Sequence, residues 1–475
     1  MWSNAQMLRI IVLLLPALLA GQTFDIVIDH GRVIDPESRL DAVRNIGVSK
    51  GRVAAVTSRR LQGKLRIDAS RLVVAPGFID LHEHRQSSEA YELKALDGVT
   101  TALELEAGAA QTSPDRWTTA DIATWYAERE GKSSINFGAS AGHMRVRMAE
   151  MGDTGRVFPE DAAVKELASH DQVSRIEAAL RKGLQQGALG LGLEIAYVPS
   201  TTREEVLGLF RLAAESHRPV FVHLRNGDPV AALQEMFADA LITGVPLHLM
   251  HVNSIAGGSA EILRMVAGAR AHGLDVTTEA YPYTAFATGI DSNIFADWER
   301  QPDEYFATLL YPSTGERLTR DSFARYRKMG GTVVRFNNTE ERIRSVLSNP
   351  LVMIASDGIF EHPRGQGTYA RILGRYVREE KLLTLMEAIR KCSLMPAQRL
   401  ESMVPEMRRK GRIRVGADAD LAIFDPDTVI DKATYEHPKE PSVGFRFVLV
   451  GGEVLVQEGK LKQGVRNGQG IRAHR

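Results

Sequence analysis

Two histidines separated by one residue, His82 and His84, close an apolar run that reads Val73-Val74-Ala75-Pro76-Gly77-Phe78-Ile79-Asp80-Leu81. On an extended strand, residues two apart point to the same face, so both imidazoles aim at one point, as two ligands of one metal ion must. Other polar residues end strand-forming apolar runs in the same way. His223 follows Pro219-Val220-Phe221-Val222, His251 follows Leu247-His248-Leu249-Met250, and Asp357 follows Leu351-Val352-Met353-Ile354-Ala355-Ser356. Taken singly, a strand-end histidine or aspartate is more often a cap or a surface group. Recurring on four strands, such residues describe a centre that activates water with a metal.

His248 stands three residues before His251 and so faces the other side of its strand, where a supporting role suits it better than ligation. A two-metal centre also needs a bridging anion, and the stretch 190–195 holds no lysine that modification could convert into one. The run Ala102-Leu103-Glu104-Leu105-Glu106-Ala107-Gly108 places two carboxylates on one strand face. Burying either without a cation costs several kcal/mol. Glu106, nearer the strand end, is the candidate bridge, with Glu104 and Glu194 as alternatives.

Eight stretches have the composition of strands: 73–82, 100–106, 135–140, 189–195, 220–224, 246–252, 275–281 and 351–356. Amphipathic stretches such as 203–216, 229–243 and 260–272 lie between them. This alternation predicts an α/β fold, a (β/α)8 TIM-like barrel whose site lies at the C-terminal strand ends, with a doubly wound sheet as the alternative. Residues 22–75 and 406–475 instead carry short alternating runs broken by Gly and Pro, which predict one small β-sandwich domain built from both chain ends. The barrel is expected over 76–405, with an insertion over its mouth at about 283–349, because that connection exceeds the usual length.

Lys+Arg and Asp+Glu both total 59 in the 475 residues, a balance that argues against nucleic acid or an anionic membrane surface as partner. The single cysteine, Cys392, excludes an internal disulfide and leaves histidines and carboxylates as metal ligands. Residues 1–21 resemble an export signal: one positive charge, an apolar run from Ile10 to Ala20 too short to span a bilayer, then small residues. A periplasmic or secreted bacterial protein, with no stable membrane insertion after signal removal, is the expectation.

These motifs together resemble the amidohydrolase superfamily, in its D-aminoacylase (N-acyl-D-amino-acid deacylase) branch. The resemblance rests on Pro76-Gly77-Phe78-Ile79-Asp80-Leu81-His82-Glu83-His84, Gly98-Val99-Thr100-Thr101, Gly142-His143, His223-Leu224-Arg225-Asn226, Tyr281-Pro282-Tyr283, Ser356-Asp357-Gly358, His362-Pro363-Arg364 and the closing Gly416-Ala417-Asp418-Ala419-Asp420-Leu421. It implies a hydrolase of a C–N amide bond in a small, carboxylate-bearing substrate, with one or two Zn2+ held by His82, His84, His223 and His251. It also implies that Asp357 is the catalytic carboxylate and touches the metal, that Arg364 meets the substrate carboxylate, and that Tyr283 and His143 line the pocket. Tyr197 and Arg225, which follow strand ends, are further candidates for substrate contact. Where that branch places a metal-binding cysteine this chain has Ala107 beside Glu106, and Asn253 stands where a lysine is expected. The competing readings are another amidohydrolase reaction (dipeptide or isopeptide cleavage, cyclic amide opening, deamination), a non-catalytic barrel that binds a protein, and a solute-binding protein.

Overall fold

The structure is a computed structural model, and it describes residues 23–113, 116–255 and 258–474. The expected export signal lies outside the described residues.

Nine strands from both chain ends form one sheet. The N-terminal part gives Thr23–Asp35, Leu40–Ser49, Arg52–Thr57, Gln62–Asp68 and Val73–Pro76; the C-terminal part gives Leu421–Phe424, Phe445–Val450, Glu453–Gln457 and Lys460–Leu461. The two parts join where Leu421–Phe424 pairs antiparallel with Val73–Pro76. The expected small β-domain is built from both chain ends, its strands hydrogen-bonded in one continuous sheet around a core. The 13-residue Thr23–Asp35 is long enough to pair with Leu40–Ser49, Gln62–Asp68 and Val73–Pro76, and the sheet encloses Ile28, Ile46, Val74, Ile423 and Leu449.

The run 73–82, read from sequence as one strand, is two. Val73–Pro76 belongs to this sheet, whereas Phe78–Asp80 is the first strand of the barrel. Gly77 makes the turn between them: its N–H donates to the Asp420 carbonyl at 2.8 Å, and a Cβ there would lie 2.2 Å from Thr100 Oγ1.

Eight parallel strands follow in order: β1 Phe78–Asp80, β2 Val99–Glu104, β3 Asn136–Ala139 resuming as Ala141–Gly142, β4 Leu191–Glu194, β5 Val220–His223, β6 Leu247–Leu249, β7 Val276–Ala280 and β8 Val352–Ile354. Their near-continuous burial is that of strands covered on both faces. The ring closes beyond the strand ends, where the Gly358 N–H donates to the His82 carbonyl (3.0 Å) and the His84 N–H to the Gly358 carbonyl (3.1 Å). The expected helices form as Arg203–Glu215, Pro229–Thr243 and Ser259–Ala271. Local chemistry sets their ends: Thr202 accepts from Glu205 N, Asp228 caps a helix with Pro at its first turn, and Gly244 stops that helix in the left-handed region at φ 71°.

Between β7 and β8 a four-stranded antiparallel sheet of Ala285–Gly289, Thr332–Phe336, Leu309–Tyr311 and Glu316–Arg317 encloses its own core of Phe295, Phe306, Phe323 and Val333. Glu340–Ser348, which the sequence reading placed inside the insertion, instead packs on Ser259–Ala271 and β8 and serves as a barrel helix.

Candidate metal centre and active site

The end of β1 delivers His82 and His84 with their Nε2 atoms 3.1 Å apart. Each ring is fixed from behind by a carboxylate: His82 Nδ1 lies 2.7 Å from Glu279 Oε1, and His84 Nδ1 lies 2.8 Å from Glu104 Oε2. An ionised carboxylate only accepts, so each Nδ1 carries the hydrogen and each Nε2 keeps a bare lone pair. Glu106 Oε2 stands 3.0 Å from His82 Nε2, and Asp357 Oδ1 stands 3.2 Å from His84 Nε2. Two imidazole nitrogens and two carboxylate oxygens thus converge on one point, and a cation is what such a set holds. Burial opposes charge on His82, but Glu106, Asp357 and Glu279 outweigh it and raise its basicity well above the usual imidazole value. A field that draws a proton so strongly draws a metal ion equally.

A second cluster lies beside the first. His223 Nδ1 is 3.0 Å and His251 Nε2 is 2.9 Å from Glu106 Oε1, and those two nitrogens are 3.1 Å apart. Glu106 therefore offers one oxygen to each pair of histidines, the arrangement of a bridging carboxylate. Burial would raise its carboxyl, yet His82, His251 and His223 hold it well below the usual range. The alternatives stand apart from this bridge: Glu104 is bonded to His84 Nδ1 and also accepts from the Ala107 N–H (3.0 Å), whereas Glu194 lies on the Arg145 side of the cleft, 3.7 Å from its guanidinium. His248, placed behind the centre, meets Glu279 Oε2 at 3.2 Å and Thr277 Oγ1 at 2.7 Å, so a relay from β6 and β7 orients His82. The donor set, nitrogen and carboxylate oxygen without thiolate, fits a divalent ion such as zinc.

Asp357 occupies the left-handed region at φ 50°, and His251 sits at φ 29°. Conformations of that kind are held by surrounding contacts and gather at functional sites. Burial would raise the Asp357 carboxyl, but Arg364, whose Nη2 lies 2.9 Å from Oδ1, and the nearby imidazoles hold it far below the usual range.

Comparison with known proteins agrees with this geometry. The amidohydrolase family model matches residues 66–456. The chain belongs to the amidohydrolase family. Within it, the D-aminoacylase branch is the one it joins: an N-acyl-D-glutamate deacylase of Alcaligenes xylosoxydans xylosoxydans is 32% identical over 91% of this chain and 93% of that protein. The crystal structure of an N-acyl-D-glutamate deacylase from Bordetella bronchiseptica, complexed with zinc and a phosphonate mimic of the tetrahedral intermediate, superposes with a TM-score of 0.81 at 27% identity, covering 95% of this chain and all of that one. A D-aminoacylase structure with a binuclear metal centre, described as activated by one metal and attenuated by the second, gives 0.80 at 25% identity, covering 94% of this chain and 100% of that one. This amidohydrolase is accordingly a metal-dependent enzyme that cleaves amide bonds.

Above the ligands of the amidohydrolase opens a cleft of about 620 Å3. Of the residues expected to meet substrate, Tyr197 and Arg225 line it. The Tyr197 hydroxyl is 2.8 Å from Thr288 Oγ1, and the Arg225 fork is taken by Glu235 and the Thr201 carbonyl. His143 and Tyr283 do not line it. His143 begins the helix His143–Met151 and turns to Glu205 (2.9 Å), which Arg147 also grips. Tyr283 follows Pro282, which ends the alternation of β7, and its hydroxyl goes to Asp431 (3.3 Å). Arg364, 1% exposed, lies behind Asp357 over the Tyr281 ring, with Nε and Nη1 unpartnered. Asn253, at the position of the expected lysine, stitches to the Tyr281 backbone (3.1 Å). The sequence reading missed Glu279, whose signal is the one that exposed Glu104: a carboxylate inside a buried barrel strand.

Proposed function

We propose that this protein is a zinc enzyme that deacylates N-acyl-D-amino acids, with one or two ions held by His82, His84, Glu106, His223, His251 and Asp357. The observation that carries this is the two histidine pairs that converge on the two oxygens of Glu106, read together with the deacylases this chain is similar to. Zinc bound there would lower the pKa of a water and polarise the scissile carbonyl.

The chain's own residues supply the rest. Asp357, kept ionised by Arg364, accepts the proton of the attacking water and returns it to the departing nitrogen. Glu279 and Glu104 keep the Nδ1 hydrogens of His82 and His84 turned away from the reacting atoms. The inserted sheet narrows the cleft with Phe286, Ala287 and Thr288 and limits water around the amide. Arg364 steadies Asp357 and adds positive potential for a substrate carboxylate. We read residues 1–21 as an export signal; mass spectrometry of the N-terminus of the protein recovered from cells would check it.

The test is metal content together with amine release from matched N-acyl-D- and N-acyl-L-amino acids. Zinc at one or two per chain, preference for the D series and loss of turnover in Asp357→Asn are expected. A protein that binds no metal on reconstitution and releases no amine would overturn the reading.

A further inference from the structure

On the wall of the cleft formed by β3 and β4, two charged side chains are left incompletely partnered. Glu194 ends β4, and Arg145 lies in the helix His143–Met151 that follows β3. Both line the cleft and both are 4% exposed. Arg145 spends one N–H on the Ala107 carbonyl (2.7 Å) and lies over the Trp117 ring at 5.1 Å, but its Nε has no partner. Glu194 Oε2 has none either: the nearest Arg145 nitrogen is 3.7 Å away, beyond hydrogen-bond reach. Leaving a buried charged donor and acceptor unsatisfied is costly. A ligand that supplies an N–H to one and an acceptor to the other removes that cost.

The topology says which half of the substrate would arrive there. Asp357 follows β8 and delivers the proton to the leaving nitrogen, so the amino-acid half sits on the β8 side. In an eight-stranded ring β4 lies across from β8, and the acyl half therefore extends toward Glu194 and Arg145. A plain alkanoyl group such as acetyl offers nothing to either residue.

We propose that Glu194 and Arg145 form an acyl-side subsite for an N–H donor on the carbon next to the scissile carbonyl, so that the preferred substrates are short peptide-like amides: an aminoacyl or N-acylaminoacyl group joined to a D-amino acid. The Glu194 carboxylate accepts from the α-nitrogen. In an N-acylaminoacyl substrate the additional carbonyl accepts from Arg145. This deepens the deacylase reading and rests on it for the position of the leaving amine.

The test compares kcat/KM of the zinc-loaded enzyme for acetyl-, propionyl-, glycyl- and acetylglycyl-D-amino acids with one common D residue. A charge-assisted hydrogen bond predicts that at least one α-nitrogen substrate exceeds propionyl by about tenfold or more. Preference for glycyl identifies the free amine as the donor, and preference for acetylglycyl identifies the amide. Glu194→Gln is expected to shrink that ratio. Calorimetry on two phosphinate analogues that differ only in an α-amino group reads the same discrimination without turnover. Ratios near one in both measurements would overturn the subsite while the deacylase reading stands. Should no D-amide be cleaved, the deacylase reading fails and the phosphinate affinities alone decide the subsite. A preference for a carboxylate-bearing acyl group such as succinyl would also overturn it, by assigning Arg145 alone to an anion.

Discussion

Replacing Lys94 by methionine should loosen both ends of the metal centre at once, although Lys94 touches no ligand side chain. Its ammonium, 1% exposed on the helix Ser88–Leu96, lies 2.6 Å from Asp80 Oδ2, 2.8 Å from Glu83 Oε2 and 2.5 Å from Ser356 Oγ. Asp80 Oδ1 in turn accepts from the backbone N–H groups of His82 (3.2 Å) and Ser356 (3.0 Å), so one carboxylate ties the segment carrying His82 to the segment carrying Asp357. A single ammonium cannot neutralise two carboxylates. Asp80 is the better bonded, and burial pushes Glu83 up to about 7 despite Lys94. Lys94→Met leaves Asp80 and Glu83 buried with no cation, and breaking a buried pair in this way costs roughly 3–5 kcal/mol. Placement of Asp357 should suffer as well, and a shift of about 1 Å in a reacting group costs on the order of a hundredfold in rate. Urea unfolding of wild type and Lys94→Met, with kcat, KM and bound metal measured on each, checks both effects. A fall in kcat that exceeds any change in KM is expected. A variant within about 1 kcal/mol of wild type, typical of an inconsequential substitution, and with unchanged kcat would refute the view that this cluster positions the centre.

Four further outcomes follow. Glu106→Gln removes the charge shared by the two histidine clusters, so metal binding should weaken by at least about tenfold at the more weakly held position, read by metal titration. Chelation should lower the melting temperature: a metal present at about 100 times its Kd contributes roughly 2.7 kcal/mol to the folded state, and calorimetry with and without chelator measures it. Gly77→Ala would press a Cβ to within 2.2 Å of Thr100 Oγ1 and 2.3 Å of Thr100 Cγ2, a loss of about 1–3 kcal/mol by overpacking that Thr100→Ala should partly rescue in a double-mutant cycle. Asp97 accepts from the Tyr369 (2.8 Å) and Ala370 (2.9 Å) N–H groups and from Ser442, and burial pushes its carboxyl from 3.8 up to about 7. The folded state then holds the proton more tightly than the unfolded chain. Stability is full below pH about 4 and declines, by up to roughly 4 kcal/mol, as pH rises to 7; melting curves across that window should be flatter for Asp97→Asn.

The centre was legible because strand geometry and metal chemistry impose the same spacing. His82 and His84 obey the period of two, and His223, His251 and Asp357 stand where apolar runs stop. Glu106 could be read because a carboxylate buried just past the end of a barrel strand needs a cation. The resemblance carried Tyr283 and His143 into the pocket, but β7 ends at Ala280 before Pro282 and Gly142 hands the chain to a helix at His143, so neither residue lines the cleft. Gly77 hid a domain boundary for a related reason, since apolar strands on both sides read as one run until their partners are known. Arg145 and Glu194 lie 49 positions apart, on a helix and a strand end, and no local pattern links them. Only closure of β3 against β4 brings them face to face. Metal ligands converge on one ion and so carry a spacing rule that a sequence can display. Substrate contacts are spread over loops that each end a different strand, and their pairing is a property of the closed barrel.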